Sequence, residues 1–268
     1  MNNYLALSYG DLALGSIFIF INAGLSVALE LGVHNRILIA GARMVVQLAI
    51  MGLILTALFA VVSPFWTSLA ALGMVLFAGR EIAARQDRPL GGLWSYGLGT
   101  VCMMIGPMVV TVFALTTMLR SDPWYDPRYA IPVLGMILGN AMTGIALGIS
   151  GLVSGLNTRR AAVEARLMLG ATRQQAMNPV IRQALRSALM PIINSMSATG
   201  IVSLPGMMTG QILGGVAPEQ AVKYQILIMF LIAGGTGIGA VAAVMGGAYR
   251  LTDNRHRLRL DRLGAEKA

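Results

Sequence analysis

Long apolar segments separated by short polar connections dominate the hydrophobic pattern of this chain. A helix that spans a membrane needs about 20 mostly apolar residues, and about seven segments reach that length. They run approximately over residues 11–32, 37–62, 64–80, 93–119, 130–156, 189–214 and 223–249. The pattern predicts an all-α, polytopic integral membrane protein with about seven transmembrane helices and a single membrane domain over residues 1–268.

The composition agrees with that prediction. Hydrophobic residues make up 56% of the chain and charged residues 12%, which is too apolar for a soluble domain of this length. The first residues lack the basic region of a secretory signal, so we expect the first apolar segment to be a retained span. The single cysteine, Cys102, excludes a disulfide within one chain.

The basic residues are distributed unevenly between the two sides that seven spans would create. With the N-terminus outside and the C-terminus cytoplasmic, the inside connections hold sixteen lysines and arginines and the outside connections three, with Arg43 inside a helix. This is a strong positive-inside asymmetry. The formal charge of +9 therefore reflects topology, including a basic cytoplasmic tail over residues 250–268, and no nucleic-acid partner is expected.

The sequence offers little material for enzymatic chemistry. Neither of its two lysines, Lys223 and Lys267, follows the glycine pattern of a phosphate-binding loop. Its two histidines, His34 and His256, lie in predicted cytoplasmic segments, which disfavours a histidine-based zinc site or an intramembrane Ser-His pair. We expect no catalytic residues and no ATP hydrolysis by this chain alone.

One connection, residues 157–190, is too long for a turn and too polar to span a membrane. Its pattern predicts a helix, a break and a second helix: Asn157 or Thr158 caps the first helix, Gly170 ends it, and residues 172–175 form a capping box. Two interpretations stay open. The insert is either a surface helix held at anionic headgroups by its arginines or a docking element for a cytoplasmic partner.

The string "EARLMLG" within this insert is similar to the Glu-Ala-Ala-x-x-x-Gly signature of ABC transporter permeases. The resemblance implies a coupling helix that fits a groove on a cytoplasmic ABC ATPase. The Ile-x-Leu-Pro that follows in importers is absent, and Pro191 comes later. The residues that the resemblance assigns to coupling are Glu164, Ala165, Arg166, Gly170, Ala171, Thr172 and Arg173.

A longer resemblance extends from Glu164 to Phe230 and includes the unusual string "PGMMTGQ". This stretch resembles the FetB family of iron-export ABC permeases, which is related to plant aluminium-sensitivity transporters. The resemblance implies a multi-pass permease subunit of a bacterial inner membrane, working as a homodimer with two separate ATPase subunits and exporting iron or a related metal ion. The partner ATPase would bind ATP and Mg, and this chain would hold no cofactor.

Ionisable groups inside spans are costly and indicate function by default. Glu30 near the end of the first span and Arg43 near the start of the second are equally far from the turn between them. We expect them to lie at similar depth and to pair across the hairpin. The pair either fixes two helices or gates an ion pathway.

Other polar side chains fall near the middles of predicted spans. They either bond neighbouring helices or line a translocation path. In "LPGMMTGQILGG", Pro205 and Gly206 are predicted to break the helix. Backbone carbonyl groups that lose their helical hydrogen bonds at membrane depth must bind protein, water or an ion instead. The methionines there offer soft thioethers or ordinary packing. The candidate path residues are Glu30, Asn22, Gln47, Asn140, Asn194, Met207, Met208 and Gln211; the residues of any metal site are unknown.

Two other functions are compatible with these patterns. A self-sufficient secondary carrier or channel would use Glu30 and Arg43 as a gate and would transport without an ATPase. A membrane scaffold or embedded enzyme is disfavoured because the sequence offers no evident catalytic constellation.

Overall fold

The computed structural model describes residues 8–253 and 255–265; Lys267 of the basic tail lies outside them. The described chain is built from α-helices, joined in one span by two π-helical turns, Met104–Met108 and Ala114–Leu119. The helices are α1 Tyr9–Ala28, α2 His34–Ala60, α3 Pro64–Ala84, α4 Trp94–Met103, α5 Val109–Phe113, α6 Pro127–Thr158, α7 Arg160–Met168, α8 Arg173–Ala198, α9 Gly206–Leu213 and α10 Pro218–Arg250.

Six helical segments of the described chain are long and apolar enough to cross a membrane. They are α1, α2, α3, the span Trp94–Leu119 that contains α4 and α5, α6 and α10. These segments confirm the predicted all-α polytopic fold. The third span reaches Ala84 and not residue 80, so Arg80 and Glu81 belong to its last turns.

The predicted span over residues 189–214 is wrong as a single helix. The chain forms α8 up to Ala198, turns, and starts the short α9 at Gly206 with Pro205 as its N-cap residue. A β-carbon on Gly155 would contact Val180, and one on Gly144 would contact Ala188. The contacting positions rise along α6 while they fall along α8, so α8 runs antiparallel to α6 and packs along it. Helix α8 is not among the six segments of the described chain that are long and apolar enough to cross a membrane.

The bounds of the predicted insert are also wrong at both ends. Asn157 and Thr158 lie in the last turn of α6, and α7 begins after Arg159 without a side-chain cap. At the other end, α8 passes residue 190 without a break. The insert is therefore a short α7 followed by the larger part of a long helix that packs along α6.

The core is centred on α6, which packs against α3, α8 and α10. Its buried residues, including Ile137, Ile145 and Leu152, are almost fully inaccessible. Small residues let the helices approach closely, as is common in membrane bundles. A β-carbon on Gly106, in the π-helical turn before α5, would lie 2.7 Å from the Gly235 carbonyl oxygen of α10.

Helices α1 and α2 form a peripheral hairpin. Their buried residues are Ala23, Ser26 and Leu58. The expected Glu30–Arg43 pair is wrong: Arg43 forms its ion pair with Glu81 of α3. Glu30 lies in the α1–α2 turn with a φ of 52°, because the chain reverses there after a shorter α1 than the hydropathy predicts.

The tail folds back onto the end of the bundle from which α10 emerges. The backbone N–H of Gly91 donates to the carbonyl oxygen of Arg262 at 2.7 Å, and Gly264 donates to Pro89 at the same distance. The guanidinium of Arg250 lies 4.7 Å from the ring centroid of Trp94. Residues 255–265 are thus attached to the α3–α4 connection.

Candidate translocation and coupling site

Helix α7 lies beyond the ends of α6 and α8 and contacts both of them only lightly. Its one buried residue, Val163, anchors it in the core cluster that also contains Met177 of α8. Arg160 donates to the Glu164 carboxylate at 2.8 Å, one turn along the same helix. Such an exposed i,i+4 pair contributes only a few tenths of a kcal/mol, about 0.3–0.5, so Glu164 mainly supports α7 itself.

The turn after α7 has the geometry that its sequence predicts. Gly170 adopts a φ of 90°, and the backbone N–H of Ala171 donates to the carbonyl oxygen of Arg166, which closes a Schellman-type end. Thr172 and Gln175 then form the predicted capping box at the start of α8. Both features are confirmed, and together they hold α7 and α8 at a fixed, sharp junction.

Two large apolar side chains are exposed at the C-terminal end of α7, which we call the tip of α7. Met168 is 82% exposed and Leu169 is 88% exposed, immediately before Gly170. Sequence reasoning selected the neighbouring Glu164 to Arg166 and passed over these two residues. The available signal was the pair of large apolar residues directly before a helix-ending glycine in a segment otherwise rich in arginine.

The first residue of α8 also contacts the tail. The guanidinium of Arg173 lies 5.0 Å from the ring centroid of Tyr249 near the end of α10. Its backbone N–H donates to His256. Of the residues that the resemblance assigned to coupling, Ala165 and Arg166 lie on α7, and Arg173 connects α8 to the tail.

Exposed polar side chains occur along both helices of the antiparallel α6–α8 pair. Asn140 and Ser154 of α6 and Gln183, Asn194 and Ser197 of α8 are exposed. Because Gly144 of α6 lies against Ala188 of α8 and the two helices are antiparallel, positions 140 and 194 fall at a similar level along the pair. We call these five residues the α6–α8 polar face.

The face contrasts with the membrane environment of a spanning bundle. Asn140 donates to the Met136 carbonyl oxygen and Ser197 to the Ile193 carbonyl oxygen, each within its own helix. Their remaining hydrogen-bonding capacity points outward. Exposed polar side chains at membrane depth require water or another protein surface. Sequence reasoning found Asn140 and Asn194 but missed Gln183, because Gln183 was assigned to the cytoplasmic insert.

The methionines of α9 lie in a different environment. Met208 is buried, and Met207 packs against the cluster that contains Ile192 of α8 and Ile228 of α10. The Oε1 atom of Gln211 is buried with no hydrogen-bond partner among the described residues. The two methionine sulfurs and the Gln211 amide oxygen therefore lie on the same short helix. The methionine side chains are part of the apolar packing, and the amide oxygen is buried without a partner among the described residues.

The remaining candidate residues are not brought together with these groups. Gln47 lines a groove with Arg43 and Glu81 on the opposite side of the bundle core from α8. Asn22 is exposed on α1 and donates to the Phe18 carbonyl oxygen of its own helix. The structure thus divides the proposed path residues among four places: the hairpin, the groove, the α6–α8 polar face and α9.

Within the described residues, no group of three or more histidine, cysteine, aspartate or glutamate side chains could hold a metal ion. The side chains of the α6–α8 polar face and of Met207, Met208 and Gln211 on α9 offer amides, hydroxyls and thioethers. Such groups coordinate a passing cation weakly, in contrast to the thiolate, imidazole and carboxylate ligands of resident metal sites.

The six long apolar helical segments of the described chain define a multi-pass α-helical membrane protein. The chain belongs to the Uncharacterised protein family UPF0014, whose family model matches residues 9–252.

Curated relatives span most of the chain. The UPF0014 membrane protein slr1647 of Synechocystis sp. is 36% identical over 233 residues, which cover 85% of this chain and 86% of that protein. Protein ALUMINUM SENSITIVE 3 of Arabidopsis thaliana is 32% identical, covering 82% and 78%. The Probable iron export permease protein FetB of Escherichia coli is 29% identical, covering 92% and 93%. No solved structure matches the chain.

Proposed function

We propose that this chain is the transmembrane permease subunit of an ABC exporter, and that α7 binds a separate cytoplasmic ATPase subunit. The observation that carries the proposal is the tip of α7, where Met168 and Leu169 are exposed next to Gly170. Fully burying a leucine or methionine side chain contributes roughly 1.5–3 kcal/mol. A groove on a partner protein that accepts both side chains would therefore gain a specific anchor at this point.

The electrostatics of the tip suit the same partner. Arg159, Arg160 and Arg166 are exposed around α7, with Glu164 the only acidic residue on that helix. Basic connections lie on the cytoplasmic side of membrane proteins, which supports the inner-membrane orientation with the C-terminus inside. An acidic rim around an apolar groove would complement this surface and speed association.

The long α8 supplies a route for mechanical coupling. Its 26 residues extend about 39 Å at 1.5 Å per residue. ATP-driven closure of the ATPase subunits would displace α7, and the fixed junction at Gly170 would carry the displacement into α8. The far end of α8 leads into Pro205 and the short α9, where a change of tilt would alter access to the path.

We assign the path itself to the α6–α8 polar face of two copies of the chain. Such a homodimer would enclose the exposed amides and hydroxyls between the copies and remove them from lipid. The cargo is proposed to be iron or a related metal ion, because one relative carries the name of an iron export permease and the face offers oxygen ligands without a resident site.

The decisive experiment combines Met168→Asp with Leu169→Asp in the full chain, coexpressed with its ATPase. We expect the ATPase to be lost from the purified membrane complex and metal efflux to fall to background. Burying two carboxylates in an apolar groove without partners is strongly unfavourable. Copurification and cellular metal content are the measurements.

Two controls separate docking from folding. The exchange Met168→Leu with Leu169→Met keeps apolar volume and is expected to keep the ATPase bound. Ile201→Asp with Val202→Asp places the same charges on an equally exposed pair at the other end of α8 and should leave ATPase association intact. Metal transport by the purified chain in vesicles without any ATPase would contradict the proposal and favour a secondary carrier.

A further inference from the structure

A groove of about 780 Å³ lies between α2, α3 and α6, away from α7 and the α6–α8 polar face. Its lining is mostly apolar and follows α2 from Arg43 to Leu58. Fifteen residue steps of helix correspond to about 22 Å at 1.5 Å per residue. The groove is therefore longer than one leaflet of the hydrocarbon core, which is about 15 Å thick.

The groove exists because the α1–α2 hairpin is set off from the bundle. Helix α2 packs mainly against α1, and Leu58 is its one buried residue. Gly73 of α3 faces the groove with open space where a side chain would begin. Helices in a bilayer associate through close van der Waals packing, so a gap of this size between helices needs an occupant.

The charged residues of the lining lie at one end. Arg43 forms an ion pair with Glu81 and lies 5.7 Å from the ring centroid of Phe77. Arg85, one turn after Glu81, is exposed, and its guanidinium has no hydrogen bond or ion pair to any other described residue. Two guanidiniums and one carboxylate leave this end of the groove with a positive charge.

We propose that the groove is a binding site for an anionic phospholipid, with the headgroup phosphate at Arg85 and Arg43 and an acyl chain lying along α2 toward Leu58. The polar end lies on the side of the α1–α2 turn and the apolar body extends toward the middle of the bilayer. This is the orientation of a lipid in the leaflet on that side. Positive residues at a membrane surface favour anionic over zwitterionic lipids.

The bound lipid would connect the hairpin to the bundle. Apart from the Arg43–Glu81 pair, few contacts join α2 to α3, so an acyl chain in the groove would supply the packing that side chains do not. The site is independent of the proposed ATPase docking at α7, and its test does not require transport.

The first test measures lipid binding to the purified full chain in detergent by native mass spectrometry. Phosphatidylglycerol and phosphatidylcholine with identical acyl chains are compared, with glycerol 3-phosphate as the headgroup without chains. We expect phosphatidylglycerol to bind more tightly, and Arg85→Gln to weaken it about fivefold, the contribution of one basic residue near an anionic headgroup. Arg36→Gln removes the same charge at the same end but outside the lining, and is expected to change nothing.

The second test fills the apolar body. We expect Gly73→Leu to reduce the copurifying lipid to half or less. Gly52 is an equally open glycine on α2 that lies outside the lining, and Gly52→Leu is expected to retain the lipid. Equal binding of the two phospholipids, equal effects of the two arginine variants, or binding of glycerol 3-phosphate as tight as that of the lipid overturns the proposal. So does a change of oligomeric state in Gly73→Leu with lipid unchanged, because a second protein chain would then be the occupant.

Discussion

The backbone N–H of Arg173, the first residue of α8, donates a hydrogen bond to Nδ1 of His256 in the tail, with 3.1 Å between the two nitrogens. The helix that begins at the α7 junction is thereby held by a residue that follows α10. Four amides at the start of any helix lack intrahelical acceptors, and here one of them is satisfied by a side chain 83 positions away. The tail is part of the structure that positions α7.

We expect His256→Ala to loosen this contact. A hydrogen bond of this kind contributes about 0.5–1.5 kcal/mol, so hydrogen exchange at the Arg173 amide should accelerate roughly fivefold. Exchange measured by mass spectrometry or NMR on the detergent-solubilised chain tests this. Arg255→Ala, a neighbouring change that leaves the acceptor in place, is the control. An unchanged exchange rate in His256→Ala would show that the tail does not hold α8.

The close contact between Gly106 and α10 predicts a steric effect. A β-carbon at this position would lie 2.6 Å from the Gly239 nitrogen and 2.7 Å from the Gly235 carbonyl oxygen, and these backbone atoms cannot rotate away. Gly106→Ala should therefore destabilise the bundle by about 1–3 kcal/mol, as overpacking does. Thermal unfolding in detergent measures the loss.

Gly139→Ala provides the matched comparison, because Gly139 is a helical glycine of α6 with open space around its Cα. We expect the thermal unfolding midpoint of Gly139→Ala to stay near that of the parent protein. Equal unfolding midpoints for the two variants would mean that the π-helical turn Met104–Met108 and α10 can separate without loss of stability.

The α6–α8 polar face predicts crosslinks between copies. With Cys102 replaced by alanine, Asn194→Cys should form an intermolecular disulfide under mild oxidation, because the proposed homodimer brings the two faces together. Nonreducing electrophoresis of membranes measures the dimer. Leu53→Cys, which is exposed on α2 away from that face, is expected to remain monomeric; crosslinking of both variants alike would indicate random collision.

The methionines of α9 are predicted to act through packing. Met207→Leu with Met208→Leu keeps the apolar volume of two side chains that contact the core, and such exchanges usually cost less than about 1.5 kcal/mol. We expect metal efflux to stay above half of the parent rate. Gln211→Leu removes the unpaired buried oxygen of the same helix and is expected to lower efflux further than the double variant. The opposite order would identify the sulfurs as ligands.

Hydropathy predicted the spans that are continuous and apolar, because length and composition suffice for them. It failed at α8, since Arg173, Arg182 and Arg186 lower the average of a helix that packs along α6. Local chemistry predicted the turn at Gly170 and the cap at Thr172, which depend only on neighbouring residues.

The partner of Arg43 could not be predicted in the same way. Position along a span gives depth but not the direction in which a side chain points, and Glu81 is 38 residues away. Equal distance from the turn predicted Glu30 as the partner, but Glu30 lies in the α1–α2 turn itself and does not pair with Arg43. The exposure of Met168 and Leu169 likewise depends on how α7 leaves the bundle, which no local pattern encodes.

The polar character of α8 has a consequence for biosynthesis. A segment with Arg182 and Arg186 in its middle is not apolar enough to partition into a bilayer on its own. Its apolar contacts are with α6, synthesised just before it, and with α10, synthesised just after it. A crossing of the membrane by α8 would therefore require α6 and α10 to enter the lipid together with it.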